Sequence, residues 1–265
     1  MSKKDAYILK VGHNILDFSA LKTKKLEVQT EVNSEYALIV KNMGDLKYLK
    51  IDLNAGSKLV LSFLFDEEIK TFNFEINIYE NASLEAYIAE FSQNNLQIFG
   101  AINLLKMGAN ANFKLASLSA ENDDKNISIS VNHLAPKTYG KVDNYGVCKD
   151  NGKLLFAGTS YILHKSIKSK TQQNARIMVF DEASNAIAKP ILKIDENDIE
   201  ASHAAVVGKI NDEHLFYLTS RGISESEAKQ LITFGYLKPI LAGFDNEKTR
   251  SYISSLIDSH FAYIQ

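Results

Sequence analysis

Residues able to do chemistry are sparse in this chain of 265 residues. The most telling is His203, in the run Ala201-Ser202-His203-Ala204-Ala205. Ile199, Ala201, Ala205 and Val207 share its parity in a strand-like pattern, so it stands on an otherwise apolar face. A histidine so placed is buried with a partner, lies at an interface, or binds something, and the satisfied core histidine is the ordinary case. Cys148 is the single cysteine, which excludes an intramolecular disulfide and a four-thiolate metal site built from this chain alone. A lone cysteine is ordinarily a small buried hydrophobe, so Cys148 ranks behind His203 as a candidate ligand. Glu121, Asp123 and Asp124 read as a solvated loop, and Glu196, Asp198 and Glu200 as the wet face of a strand. No phosphate-cradling glycine loop, dinucleotide fingerprint, nucleophile elbow or zinc-protease helix motif occurs.

The elements that must position these residues show two periodicities. Between about residues 26 and 210 the pattern is period two: Leu49, Ile51 and Leu53; Leu59, Leu61, Phe63 and Phe65; Phe72, Phe74, Ile76 and Ile78 each alternate with mostly polar residues. Turn signals separate the runs. Ala55, Ala82, Ala109 and Pro136 mark them at 82 − 55, 109 − 82 and 136 − 109, each a step of 27 residues. A fixed spacing of this size, with long helical patterns absent, predicts a stacked β-helix, and a sandwich with fortuitous regularity is the alternative. Residues 1–25 read as an N-terminal segment, 26–210 as the β-helix core and 211–265 as a small helical domain. In that last region Gly222 sits where a helix ends in a left-handed cap, and Ser224 with Glu227 forms a capping box. A further helix starts near Asp245 or Asn246, with Ile253, Leu256, Ile257, His260, Phe261 and Ile264 on one side.

Composition narrows the partners. With 30 basic and 32 acidic side chains, the net charge of −2 predicts neither nucleic-acid nor anionic-membrane binding. The first residues, Met1-Ser2-Lys3-Lys4-Asp5-Ala6-Tyr7, lead into no long apolar run, so the expected location is cytoplasmic.

Taken together, Ala188-Lys189-Pro190, Ser202-His203-Ala204-Ala205 and Leu215-Phe216-Tyr217-Leu218-Thr219-Ser220-Arg221-Gly222-Ile223 resemble the SufB/SufD family of iron–sulfur cluster assembly proteins, on its SufD-like side. Gln173 and Arg176 match a Gln-x-x-Arg pattern upstream. The resemblance implies a mainly β, right-handed parallel β-helix followed by a small helical domain. It also implies a non-catalytic scaffold subunit that pairs with a SufB-like subunit and binds a SufC-like ABC ATPase through its C-terminal helices. A transient iron–sulfur cluster would form at the interface of that complex, with none stably bound by this chain alone. On this reading Leu215, Phe216, Tyr217, Arg221, Leu231, Ile232 and Tyr236 contact the ATPase. Lys189, Pro190 and His203 belong to the dimer interface, where His203 is a candidate cluster ligand. Two departures stand out: Ala201 occupies a position commonly cysteine in the family, and Ala204-Ala205-Val206 replaces the usual Gly-Ala-Thr. The chain also looks short, without most of the N-terminal helical region of longer relatives. Two other readings stay open, a homodimeric scaffold and a β-helix protein that binds or degrades polysaccharide.

Overall fold

The alternating runs form sixteen strands in the computed structural model, which describes residues 6–19, 23–43, 45–66 and 69–261. One sheet holds Ala6–Ile8 (β1), Lys25–Gln29 (β3), Tyr48–Leu53 (β5), Thr71–Ile78 (β7), Leu96–Leu104 (β9), Asp124–His133 (β11), Lys153–Ile162 (β13) and Asn185–Ile194 (β15). The other holds Gly12–Asp17 (β2), Glu35–Lys41 (β4), Lys58–Phe65 (β6), Ser83–Glu90 (β8), Asn110–Ser119 (β10), Tyr139–Cys148 (β12), Ser169–Val179 (β14) and Ile199–Lys209 (β16). Every pairing is parallel. The chain crosses from one sheet to the other and returns one place further along the axis, which makes a parallel β-helix and not a sandwich of antiparallel hairpins. Ile264 and part of the N-terminal segment lie outside the described residues.

The coils are unequal, which corrects the fixed repeat of 27. One residue per coil at the same corner has positive φ: Asn33, Gly56, Asn81, Gly108, Lys137 and Lys168. The steps 56 − 33, 81 − 56, 108 − 81, 137 − 108 and 168 − 137 are 23, 25, 27, 29 and 31 residues. Each coil is two residues longer than the last, an increment that leaves the inward-facing parity unchanged. Ala55, Ala82, Ala109 and Pro136 stand one residue to one side or the other of these corners, which makes a growing series look constant. Gly108 is required in its corner, because a Cβ there would lie 2.2 Å from Oδ1 of Asn81 below it. The stack also starts before residue 26, since β1 and β2 pair with β3 and β4. β1 has only three residues and the buried positions of β2 are Asn14 and Leu16, so apolar alternation does not reveal them.

Inward-facing side chains fill the space between the sheets with an apolar core. Its centre is aromatic: Phe63, Phe65, Phe72, Phe74 and Phe113 are all buried, with ring centroids 5.4–6.2 Å apart. A second core lies outside the even sheet. Three α-helices, Asp212–Ser220 (α1), Glu225–Leu237 (α2) and Glu247–Ser259 (α3), follow β16, with a 3-10 turn at Lys238–Gly243 between the last two. They begin at Asn211, at the Ser224/Glu227 capping box and at Asn246, and Gly222 closes α1 with φ of 88°. Ile240, Phe244, Ile253 and Ile257 are buried against Leu64, Phe91, Leu118 and Val147 of the sheet, so strands and helices share one packed layer.

At that junction a charge pair is fully buried. Lys125 Nζ donates to both carboxylate oxygens of Glu90 at 3.0 Å and to the carbonyls of Ser92 and Leu118 at 2.6 Å. The hydroxyls of Ser92 and Ser117 also donate to Glu90, so the usual penalty for burying charge is offset by full coordination. Asp123 lies 3.9 Å from Lys125, and burial lifts its carboxyl to about 6. This corrects its reading as part of a solvated loop, because β10 and β11 draw the turn between them against the charged pair.

Candidate functional site: the open end of the β-helix

Among the described residues β15 pairs only with β13, and β16 only with β14, so each has one edge with no described strand beside it. Such an edge presents backbone donors and acceptors to another chain. Side chains on these strands are correspondingly open. Ile187 is 48% exposed and Ile191 38% on the outer face of β15, Val206 57% on the outer face of β16, and Val207 45% on the interior parity that the open end uncovers.

Register brings the sequence motifs together here. His203 lies beside Gln173, and Pro190 beside Gly158. Gln173 is buried, and its amide reaches across the interior to Ser160 on β13, accepting from the Ser160 N–H at 2.6 Å while its nitrogen donates to the Gly158 carbonyl at 3.2 Å. Thr171 Oγ1 donates to the same Ser160 hydroxyl at 2.7 Å. Proline suits β15 because an edge strand has no ladder on one side to interrupt. Lys189, on the opposite parity, points with Ile187 and Ile191 to the outer face beside Ala157.

His203 is exposed in the single chain, as are Ala201, Ala205 and Val207 on the same parity. Burial with a partner inside this chain is thereby corrected: the face is interior in register, but among the described residues no further coil covers it. Cys148 is fully buried in the apolar core at the far end of β12, where its Sγ donates to the Gly152 carbonyl at 3.0 Å and burial pushes the thiol up to about 11. The column Val142, Gln173, His203 lies six residues (148 − 142) along the strands from Cys148, roughly 20 Å at strand spacing. The structure therefore does not bring the thiol to the histidine. Among the described residues no three His, Cys, Asp or Glu side chains gather as a metal site would require. Glu196 and Asp198 fall in the turn between β15 and β16, and Glu200, on β16, pairs with Lys170 at 2.7 Å. They do not line one strand face, because β15 ends at Ile194.

The helices divide the residues assigned to ATPase contact. Phe216, Tyr217 and Leu231 are 74%, 57% and 53% exposed. Leu215 is half-buried, and the Arg221 guanidinium stacks over Tyr217 at 5.1 Å. Ile232 and Tyr236 turn the other way, which corrects their place in that set. Ile232 packs against the junction core, and the Tyr236 ring meets Tyr145 edge-on at 6.3 Å, because both lie on the face of α2 that rests on the sheet. The Lys125–Glu90 pair is absent from the reading of the sequence, although a signal exists: both charges fall on the inward parity of strands that are otherwise apolar.

Fold and site together define a parallel β-helix with one open apolar end and a helical unit folded over one sheet. Residues 19–236 match the family model described as the SUF system FeS cluster assembly, SufBD core domain. The chain belongs to this family. Among its relatives, the iron–sulfur cluster assembly protein SufD of Bacillus subtilis is 31% identical over 156 residues, covering 59% of this chain and 36% of that protein. SufB of the same organism is 28% identical over 160 residues, covering 60% and 34%. A SufBD family protein of Staphylococcus saprophyticus is 25% identical over 162 residues, covering 61% and 35%. The matched region is thus about a third of each relative's length. No helix among the described residues is long and apolar enough to cross a membrane.

Proposed function

We propose that this chain is a SufD-like, non-catalytic scaffold subunit of a SUF-type iron–sulfur assembly complex. It pairs with a SufB-like subunit through β15 and β16 and carries a SufC-like ABC ATPase on its helices. The observation that carries this reading is the open end, where exposed apolar side chains, free strand edges, Pro190 and His203 coincide. A partner strand can extend either sheet by main-chain hydrogen bonds, while the proline restricts the registers available. In such an interface His203 offers one imidazole nitrogen to iron of the nascent cluster, which is cargo and not a resident cofactor. The thiolates come from the partner, since the thiol of Cys148 is enclosed in the core.

The test is co-purification with a SufB-like subunit and the ATPase, followed by light scattering. Ile191→Asp combined with Val206→Asp should abolish pairing by placing a carboxylate on the outer face of each edge strand, beside the strand that would join it, while the thermal unfolding of the single chain changes little. His203→Ala should leave the complex intact and suppress anaerobic cluster formation, followed by absorbance and iron content. Retention of the heterodimer by the double variant, or a homodimer formed through the same strands in preference to it, would overturn the heterodimer reading. Point substitutions serve better than removal of residues 211–265, because truncation would strip the cover from Leu64, Phe91, Leu118 and Val147.

A further inference from the structure

α2 has apolar residues on two sides. Ile232 and Leu237 rest on the β-helix, and Ala228 is buried. Glu227, Gln230, Leu231 and Phe234, at the i, i+3, i+4, i+7 spacing of one helical stripe, instead line a groove of about 580 Å³ that Ile223 and the α3 residues Ser254 and Asp258 complete. Its base is apolar, and Leu231 is 53% exposed within it. The ionisable groups lining it are two carboxylates, with no lysine or arginine. Glu227 is held by the Ser224 N–H and hydroxyl, and Asp258 accepts from Gln230 Nε2 at 2.7 Å. Both are bound by neutral donors, and neither has a cationic partner among the described residues. A separate hollow beside Gly235 and Pro239 carries the cations Lys238 and Arg250.

We propose that this groove receives, from the ATPase, an apolar anchor side chain flanked by a lysine or arginine. The inference rests on the ATPase reading above and specifies the chemistry of the docking segment. Burial of an apolar anchor between Ile223, Leu231 and Phe234 supplies the affinity. Two uncompensated carboxylates at the rim steer a cation toward it and reject an acidic segment of the same shape.

The experiment is titration calorimetry of the full chain against a purified SufC-like ATPase from the same cell, at low and high salt. Leu231→Ala and Asp258→Lys should each weaken binding by about tenfold or more. Glu227→Gln, which preserves the capping box, should weaken it a few-fold, by about two- to fivefold. Glu80→Lys makes the same charge change as Asp258→Lys on an exposed corner of the β-helix, and should change affinity by less than about twofold. High salt should weaken the wild type and leave Asp258→Lys nearly unaffected. If Leu231→Ala weakens binding while Asp258→Lys behaves like Glu80→Lys and salt has no effect, the cationic flank is wrong and ATPase docking stands. If the ATPase binds every variant as it binds the wild type, the groove is not its site and the inference falls while ATPase docking stands; if the ATPase fails to bind the wild type, the docking reading falls too.

Discussion

Two stretches of the same β-helix interior differ in kind. Between β6 and β10 the sheets enclose interlocked phenylalanine rings, all buried. Between β11 and β16 the inward positions hold His133, bonded through Nδ1 to Thr138, and Ser160, Thr171 and Gln173, joined by hydroxyl and amide hydrogen bonds, with Gly140 and Gly158 making room for larger neighbours. His133 Nε2 and Asn144 Oδ1 are buried there without a hydrogen-bond partner among the described residues. The middle coils seal one another, so their side chains are selected for volume. The last coils end in an open face, and their interior is selected for polar placement around it. Stability and association are thus assigned to different coils of one repeating pattern.

The sharpest way to break this contrast is to remove a ring from the middle. Phe74 touches three other rings of the stack and stands against Gly100, where an added Cβ would come within 2.1 Å of it. Phe74→Ala should cost about 3–5 kcal/mol in urea unfolding, from lost transfer energy and an unrelieved cavity. Ile187→Ala, on the open edge, should cost less than about 0.5 kcal/mol in the single chain. Similar losses at both sites would mean that the end coil contributes to the stability of the monomer as much as the centre does.

The fold was legible because period-two alternation and turn residues are local signals that survive in every coil. The taper was not, because the chosen markers stepped around the true corners and cancelled the two-residue increments. His203 was legible as an anomaly of parity, and Lys189-Pro190 as an edge-strand signature. Their meeting with Gln173 depends on parallel register across 30 residues (203 − 173), which no local pattern encodes. The same limit hid the Glu90–Lys125 pair, whose partners are 35 residues apart. Ile232 and Tyr236 were misassigned because the apolar face of an amphipathic helix does not say whether its own sheet or another protein covers it.

A smaller effect should separate the polar interior from the aromatic one by pH. Burial holds His133 and His260 down at about 4 against an ordinary 6.5, so both are neutral in the folded chain at pH 7. Unfolded, each takes up a proton as pH falls through about 6.5. Their stabilising contribution is complete above that value, declines as pH falls toward 4, and is flat below it, by up to about 3 kcal/mol per histidine. Asp123 opposes this between about 6 and 4, because its raised pKa lets the folded chain hold a proton that the unfolded chain releases, though its partial exposure to solvent reduces the effect. The net expectation is a loss of a few kcal/mol between pH 6.5 and 4, read as a falling urea midpoint at constant slope. A midpoint that holds steady across this window would show that both histidines take up protons without opening the structure.

The smallest effect on the single chain belongs to the residue with the largest proposed role. His203 is exposed, and removing its ring leaves no enclosed cavity, because no described residue covers it on the open end. His203→Ala should therefore shift the urea midpoint by no more than about 0.5 kcal/mol in equivalent stability. If the isolated variant instead lost more than about 1 kcal/mol, the ring would be acting as a lid over Gln173 and the polar interior, and its register with that amide would be structural in purpose. A neutral result moves the explanation for a histidine on this apolar face out of the chain and into the interface, since a side chain that its own fold does not need must be read through what it meets there.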